Sequence, residues 1–206
     1  MQYKIHGDHV KTVDILMNQG EALIADAGNF AWMRGEVHIE VSQKNTAKTS
    51  GKKSMDVSSA LYVCYSAKCL VVMTPEFPGQ ILDINLTEDE SIICQKGTML
   101  CSESTVDSAL FFQQKMPGYG GDGYILQQFV GPGLVFIFAA GEARQYELKQ
   151  GEMIKVDPAH IVCFEQTVNS DFSGDLAVLN GPGKIWFQTT ALPYWANILV
   201  QYKSGR

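Results

Sequence analysis

Three stretches of the chain share one pattern, and this pattern decides the fold: MNQGEALIAD (17–26), LTEDESIICQ (86–95) and LKQGEMIKVD (148–157). In each, a glutamate stands four residues after a large apolar residue and two residues before an aliphatic one. The glutamates are Glu21, Glu90 and Glu152, separated by 69 and 62 residues. The same offsets align the sequence as far as Val37, Val106 and Val168. Such self-similarity predicts a body built from similar units.

A tight turn followed by paired strands accounts for the repeated pattern. Gly20 and Gly151 precede the glutamate in two copies, and glycine adopts positive φ at no steric cost. Asp89 takes this position in the middle copy, and aspartate tolerates the left-handed region. Beyond the turn, polar and apolar residues alternate, as in VHIEV (37–41). This period of two, rich in β-branched residues, predicts strands that bury one face.

A second element recurs as short apolar runs at 61–65, 124–129 and 176–179. The last two runs lead into Gly-Pro-Gly, at 131–133 and 181–183, which predicts a hairpin turn before the next strand. The first copy lacks this tripeptide. A helical period is absent apart from a turn at 193–197.

The order of the blocks predicts how the chain closes. The chain begins with a glutamate-turn block and ends with an apolar-run block, so every block has a partner only if the last pairs with the first. We therefore expect 17–41 to pair with 176–188, and the other two repeat blocks are 61–110 and 124–172. The predicted fold is all-β, a single domain over 1–206. Three fused pseudo-repeats of antiparallel strands form a closed, pseudo-threefold body, like a β-sandwich or double-stranded β-helix, with adjacent chain ends. Closure removes free sheet edges. The lysine-rich stretch 43–54 lacks core-forming residues and is predicted to be a flexible loop.

Composition and cysteine usage predict a soluble cytoplasmic protein. The chain has 22 acidic and 16 basic residues and a net charge of −6, which disfavours binding to a nucleic-acid backbone. The first fifteen residues have no apolar signal-peptide core, and the longest apolar run, 134–140, is too short to span a bilayer as a helix. The cysteines fit neither a redox pair nor a zinc knuckle, so we expect buried free thiols: Cys64, Cys69, Cys94, Cys101 and Cys163.

Several motifs together resemble the altered inheritance of mitochondria protein 24 family. They are the glycine–glutamate turns, PEFPG (75–79), GYIL (123–126), the first Gly-Pro-Gly and GPGKIWFQT (181–189). The resemblance spans about residues 1–190. It implies three similar β units, akin to the tryptophan RNA-binding attenuation protein fold, and, from the mitochondrial relatives, an organising role at the inner membrane. It supplies no catalytic residues. Many members are glycine-rich and hydrophobic where 43–54 is polar here, so membrane contact through this stretch is not expected.

Histidine-based chemistry is weakly supported. His6, Asp8 and His9 could seed a metal site, but three or four converging ligands are usual, and only His38 and His160 remain. The cupin arrangement of His-x-His with a later Glu and His is missing. His160 could activate Cys163, yet residues three apart on one strand point to opposite faces. We therefore expect solvated or structural histidines, no metal and no cofactor.

The repeated carboxylates have two interpretations. Glu21, Glu90 and Glu152, or Asp26, Gln95 and Asp157, could converge on an axis and hold a cation. The favoured interpretation is that each glutamate caps the N–H groups of its own turn. GKKS (51–54) lacks the earlier glycine of a phosphate loop. The lysines of 44–53 have no aromatic residue among them, so RNA binding is not expected.

The aromatic C terminus is the strongest candidate surface. Trp186 is suited to the core or to an interface, whereas Tyr194, Trp195 and Tyr202 are predicted to form an interface. The sequence thus predicts a non-enzymatic scaffold or binding protein, whose partner is another protein or a second copy. Nucleic acid and membrane are not expected partners. The alternative is a cupin-like small-molecule-binding protein or enzyme, which would show a deep polar pocket with convergent His, Asp or Glu side chains.

Overall fold

The computed structural model describes residues 1–26, 28–43, 58–115 and 123–204. Most of the predicted loop 43–54 therefore lies outside the described residues, as does GKKS (51–54). The described residues form nineteen strands and one α-helix: β1 (Gln2–His6), β2 (Thr12–Asn18), β3 (Ala22–Asp26), β4 (Phe30–Arg34), β5 (Val37–Gln43), β6 (Ser58–Cys64), β7 (Lys68–Met73), β8 (Gly79–Leu86), β9 (Ser91–Gln95), β10 (Met99–Glu103), β11 (Asp107–Gln114), β12 (Tyr124–Val130), β13 (Gly133–Ala140), β14 (Ala143–Leu148), β15 (Met153–Val156), β16 (Ile161–Glu165), β17 (Asn169–Asp171), β18 (Ala177–Asn180), β19 (Gly183–Gln188) and α1 (Leu192–Ser204).

The strands form four antiparallel sheets, which confirms the all-β class. Their strand orders are β1-β2-β7-β4, β5-β6-β3-β10-β13-β8, β11-β12-β9-β16-β19-β14 and β15-β18-β17. Each six-stranded sheet therefore joins strands from two successive stretches of the chain, through the pairs β3–β10 and β9–β16.

The local sequence signals act as expected. In β2, Val13, Ile15 and Met17 are buried and alternate with half-buried residues, because successive side chains of a strand point to opposite faces. Gly20 and Gly151 both have φ of 83°, as the turn required. The glycine at this position therefore allows the tight turn that connects one strand to the next.

Three of the antiparallel pairs contain an irregularity at corresponding points. It lies between Phe30 and Trp32 in β4–β7, between Met99 and Cys101 in β10–β13, and between Ile161 and Cys163 in β16–β19. A residue inserted into one strand bends it and increases its twist. The same local bend therefore occurs three times.

Three clusters of buried apolar side chains form the core. The first includes Ile15, the second Ile137 and the third Ile185. The first cluster also takes Cys101, and the second takes Cys163. Neighbouring stretches of the chain therefore share their cores as well as their sheets.

The strand pairing corrects the block pairing predicted from the sequence. Residues 17–41 pair with β6, β7 and β10, whereas 176–188 pairs with strands between 143 and 171. Within the described residues, no ladder joins 17–41 to 176–188. Segments close in sequence pair more readily than distant ones, because short connections bring them together first.

The cysteine prediction is wrong for two of the five residues. Cys64 and Cys69 form a disulfide with a Cα–Cα distance of 5.7 Å, while Cys94, Cys101 and Cys163 are free and buried. Cys64 ends β6 and Cys69 lies at the start of β7, so the short connection between these strands brings the two cysteines together. A CxxxxC spacing alone does not reveal this meeting.

The C terminus forms a helix where the sequence indicated only a turn at 193–197. Helix α1 has 13 residues, from Leu192 to Ser204, with Pro193 in its first turn, where the missing N–H is tolerated. Among the described residues, no helix has the length and apolar character needed to cross a membrane.

Candidate functional site

A surface pocket of about 330 Å³ lies where β14, β19 and the start of β16 meet. A short 3-10 turn, Pro158–His160, precedes β16 and forms one side of it. Six residues line the pocket: Arg144, Tyr146, His160, Phe187, Gln188 and Thr189.

Gln188 gives the pocket a fixed floor. Its side chain is 4% exposed, and Oε1 accepts a hydrogen bond from the Ala140 N–H at 3.0 Å. Nε2 donates to the Ala159 carbonyl at 2.9 Å. Both ends of the buried amide are therefore satisfied, and they join β13, β19 and the 3-10 turn.

His160 is oriented by the same strand. Its Nδ1 lies 2.8 Å from the Gln188 carbonyl oxygen, and a carbonyl can only accept. The proton of a neutral ring is thus assigned to Nδ1, which leaves Nε2 as an acceptor.

Aromatic rings and one cation form the walls. The rings of Tyr146 and Phe187 lie 5.6 Å apart at an angle of 57°. Arg144 stands opposite Phe187 in the β14–β19 pair and is exposed. It forms no ion pair with the residues that the structure describes. Glu142, the acidic residue that immediately precedes β14, accepts a hydrogen bond from the Gln80 side chain.

Helix α1 is attached to the body beside this pocket. The Tyr194 hydroxyl donates to the Asp157 carboxylate, and this hydrogen bond raises the Tyr194 pKa. Asp157 also caps the 3-10 turn, accepting from the Ala159 N–H at 2.9 Å. Trp195 packs at 6.4 Å from the ring of Phe77, in the connection between β7 and β8. The helix thus contacts two distant parts of the chain.

The rest of α1 presents apolar side chains to solvent. The predicted interface residues Tyr194, Trp195 and Tyr202 are 48%, 50% and 80% exposed. Ile198, Leu199 and Val200 are also exposed, at 45%, 65% and 61%. Tyr194, Trp195, Ile198, Leu199 and Tyr202 lie on one side of the helix, three or four residues apart, and form the apolar surface of α1.

The three repeated glutamates act on their own turns. Each accepts a hydrogen bond from the backbone N–H three residues earlier, at 2.8 Å for Glu21, 2.8 Å for Glu90 and 2.7 Å for Glu152. The bonds to Asn18 and Thr87 lower the pKa values of Glu21 and Glu90. Glu21 also lies 3.5 Å from the N-terminal amine. Each glutamate therefore caps a backbone N–H group of its own turn, which agrees with the interpretation favoured from the sequence.

Asp26, Gln95 and Asp157 have different environments. Burial raises the pKa of Asp26 to about 6, opposed by Lys96 and supported by Glu76. Asp26 Oδ1 and Gln95 Oε1 are buried with no hydrogen-bond partner among the described residues, whereas both carboxylate oxygens of Asp157 accept hydrogen bonds. Within the described ranges, no three His, Cys, Asp or Glu residues are grouped so that they could hold a metal ion.

The other histidine candidates are separate from one another. His6 lies 3.6 Å from Asp14, and His38 lies 3.7 Å from Glu36. His9 and Asp8 are exposed in the connection between β1 and β2. Cys163 is fully buried, and burial raises its pKa well above the ordinary value. It is therefore unsuited to act as a nucleophile with His160 at the surface.

Trp186, the remaining aromatic candidate, is half-buried and packs against the second core cluster. Arg144, Tyr146 and Gln188 were not among the site residues predicted from the sequence. A signal for the first two was present, because TVDILM (12–17), ILDINL (81–86) and ARQYEL (143–148) align without gaps. Arginine and tyrosine stand where the other two segments have aliphatic residues.

These features define an all-β protein of several open antiparallel sheets, with a surface pocket and an exposed apolar helix beside it. The chain belongs to the mitochondrial biogenesis AIM24 family, whose sequence model matches residues 3–190. This confirms the family resemblance seen in the sequence. The fold is similar to that of protein SPYM3_0169 from Streptococcus pyogenes, known from an X-ray crystal structure. That structure aligns with a TM-score of 0.80 and 17% identity, over 98% of this chain and 99% of the other. No functionally curated protein sequence gave a significant match.

Proposed function

We propose that this protein is a non-enzymatic scaffold that associates with other proteins through the apolar surface of α1. The observation that carries the proposal is the exposure of that surface, where Leu199 and Tyr202 are 65% and 80% exposed. Monomeric proteins seldom leave contiguous apolar patches in water, and such patches mark interaction sites.

The composition of α1 favours a protein partner. Between Leu192 and Gln201 the helix has no charged residue, so this segment offers no electrostatic attraction to anionic lipid headgroups. Its tyrosines and tryptophan are residue types enriched at the centres of protein interfaces. A second copy of the chain is the simplest partner, because it brings an identical apolar helix.

We also infer that the body consists of three similar units: β2–β7, β8–β13 and β14–β19. The three irregularities, spaced by the offsets of the glutamate turns, support this inference, as do the three equivalent glutamate caps. Contacts of α1 with Phe77 and Asp157 support a closed arrangement in which the third unit neighbours the first. This is the arrangement implied by the resemblance to the tryptophan RNA-binding attenuation protein fold.

A cytoplasmic location stays a prediction, and the Cys64–Cys69 disulfide offers a way to test it, because structural disulfides are rare in that compartment. Alkylation of denatured protein from freshly lysed cells should modify three cysteines if the disulfide forms there, and five if the location is reducing. Modification of all five before any reductant is added would support the cytoplasm.

The association test uses the double variant Ile198→Asp/Leu199→Asp. We expect the natural protein to sediment as a dimer at about 100 μM and the variant as a monomer, since two buried charges would cost several kcal/mol. The control is Leu110→Asp, which introduces a charge at a residue that is 56% exposed, in β11, at the opposite edge of the sheet from β14.

Two outcomes would contradict the proposal. One is a monomeric natural protein whose crosslinked products in lysate are the same as those of the double variant. The other is cosedimentation with neutral phosphatidylcholine vesicles that the double variant abolishes, because α1 would then be a membrane-surface helix. A second candidate function, binding of a small molecule, is favoured by the pocket beside α1.

A further inference from the structure

We propose that the pocket on β14 and β19 binds a small aromatic carboxylate. The proposal is independent of α1 association, and it begins with where the pocket lies. β2, β8 and β14 each pair with the middle strand of a similar ladder, namely β2-β7-β4, β8-β13-β10 and β14-β19-β16. The cross-strand partners Met73, Ile137 and Phe187 are all buried.

At this place, two of the three ladders have an aliphatic residue and the third has a cation. Val13 faces Met73, Leu82 faces Ile137, and Arg144 faces Phe187. Val13 is 0% exposed and Leu82 packs against the second core cluster, whereas Arg144 is exposed.

Two residues further along each strand, on the same face, β14 again differs from β2 and β8. Ile15 faces Val71 and is 1% exposed, while Ile84 faces Val135 and is half-buried. Tyr146 faces Ile185 and is 42% exposed. The pocket therefore lies where the other two ladders hold core side chains. Arg144 and Tyr146 are open to solvent at positions where the other two ladders pack aliphatic side chains, so they are available to contact a ligand.

The lining chemistry specifies the ligand class. A guanidinium with no ion pair among the described residues matches the two oxygens of a carboxylate. The rings of Tyr146 and Phe187 suit a planar apolar group. His160 Nε2, left as an acceptor, suits a hydroxyl donor. A volume of about 330 Å³ is at the small end of ligand pockets and is sufficient for a ligand of one ring.

The probe that combines these groups is 4-hydroxybenzoate. Its carboxylate would lie at Arg144, its ring against Tyr146 and Phe187, and its hydroxyl at His160. Acetate carries the charge without the ring, 4-hydroxybenzyl alcohol carries the ring without the charge, and benzoate lacks the hydroxyl. The four compounds separate an aromatic carboxylate site from a general anion site.

The experiment is a titration followed by amide NMR shifts. We expect 4-hydroxybenzoate to shift the amides of 143–148 and 185–189, and to bind at least about tenfold more tightly than acetate or the alcohol. Arg144→Gln should weaken binding at least about tenfold, and Arg144→Lys should weaken it less. Lys155→Gln is the control, because it removes one positive charge from β15, outside the pocket.

His160→Gln provides a second readout. It should abolish the preference for 4-hydroxybenzoate over benzoate while leaving benzoate binding within about twofold. The thermal melt of Arg144→Gln should match that of the natural protein, since Arg144 is exposed, and the melt of His160→Gln shows whether that variant is folded. The proposal is overturned by any of three results: no shifts up to about 5 mM ligand, equal binding of acetate, or binding that Arg144→Gln leaves unchanged.

Discussion

β2 and β14 have the same place in their ladders but opposite chemistry on their inward faces. β2 fills its face with Val13, Ile15 and Met17, all buried, whereas β14 offers Arg144 and Tyr146 to solvent. Each strand pairs with the inner strand of a similar ladder, β2 with β7 and β14 with β19, and the next pair of each ladder has an irregularity at the corresponding point. β2 also pairs with β1, whereas β14 is the edge strand of its sheet. One strand pattern can therefore support either a core or a binding pocket, depending on two side chains.

The largest effect on stability is expected when a residue of β2 is replaced by the residue at the equivalent position of β14. Val13→Arg buries a cation without a partner, so the free energy of unfolding should fall by at least about 4 kcal/mol. The reciprocal change, Arg144→Val, should alter it by less than about 0.5 kcal/mol, because the side chain is already in water. Urea unfolding followed by tryptophan fluorescence measures both. Equal losses for the two variants would show that the faces do not differ.

A second contrast lies at the ends of β3 and β15. Asp26 is half-buried, and its buried Oδ1 has no hydrogen-bond partner among the residues that the structure describes, whereas both carboxylate oxygens of Asp157 accept hydrogen bonds. The pKa of Asp26 is about 6 in the folded protein, against an ordinary value of 3.8 for an aspartate in an unfolded chain. Its contribution to stability is thus fully present below pH 3.8 and is lost as the pH rises through 6.

Asp26→Asn should therefore raise the free energy of unfolding by about 2 kcal/mol at pH 7 relative to the natural protein, and by much less at pH 4. The measurement is the difference between the two melting curves at each pH. Asp107→Asn, an exposed position, is the control. A difference that does not vary with pH would remove the burial argument for Asp26.

The smallest effect concerns α1, which is attached near the end of β15 through Tyr194. Tyr194→Phe removes the hydrogen bond to Asp157 and should destabilise the helix by up to about 1 kcal/mol. Amide hydrogen exchange in 194–202 should accelerate by up to about fivefold, with β15 unchanged. Tyr202→Phe is the matched control, since that residue is 80% exposed. Equal amide-exchange rates in the two variants would mean that the hydrogen bond between Tyr194 and Asp157 does not stabilise α1.

The elements fixed by local chemistry were predictable from the sequence. Gly20 and Gly151 indicate their turns because few other residues adopt positive φ, and the alternation in β2 and β5 marks strands. The pairing order was not predictable, because apolar alternation is satisfied by many partners. The sequence pattern proposed 176–188 as the partner of 17–41, whereas the chain pairs 17–41 with β6, β7 and β10.

The pocket and the disulfide depend on three-dimensional neighbours. Gln188 and His160 are 28 residues apart and meet only once β16 pairs with β19. Cys64 and Cys69 meet because the chain crosses between two sheets at that point. Arg144 and Tyr146 are the exception, because aligning the sequence of β14 with those of β2 and β8 shows two polar residues where the others have aliphatic ones.

The strand pairs β3–β10 and β9–β16 join consecutive stretches of the chain into shared sheets. A truncated polypeptide ending near residue 78 would leave the edge of β3 bare, and the polypeptide that starts there would lose the strand beside β10. Cutting the chain at this point would therefore leave one unpaired strand edge on each fragment, and such edges promote aggregation.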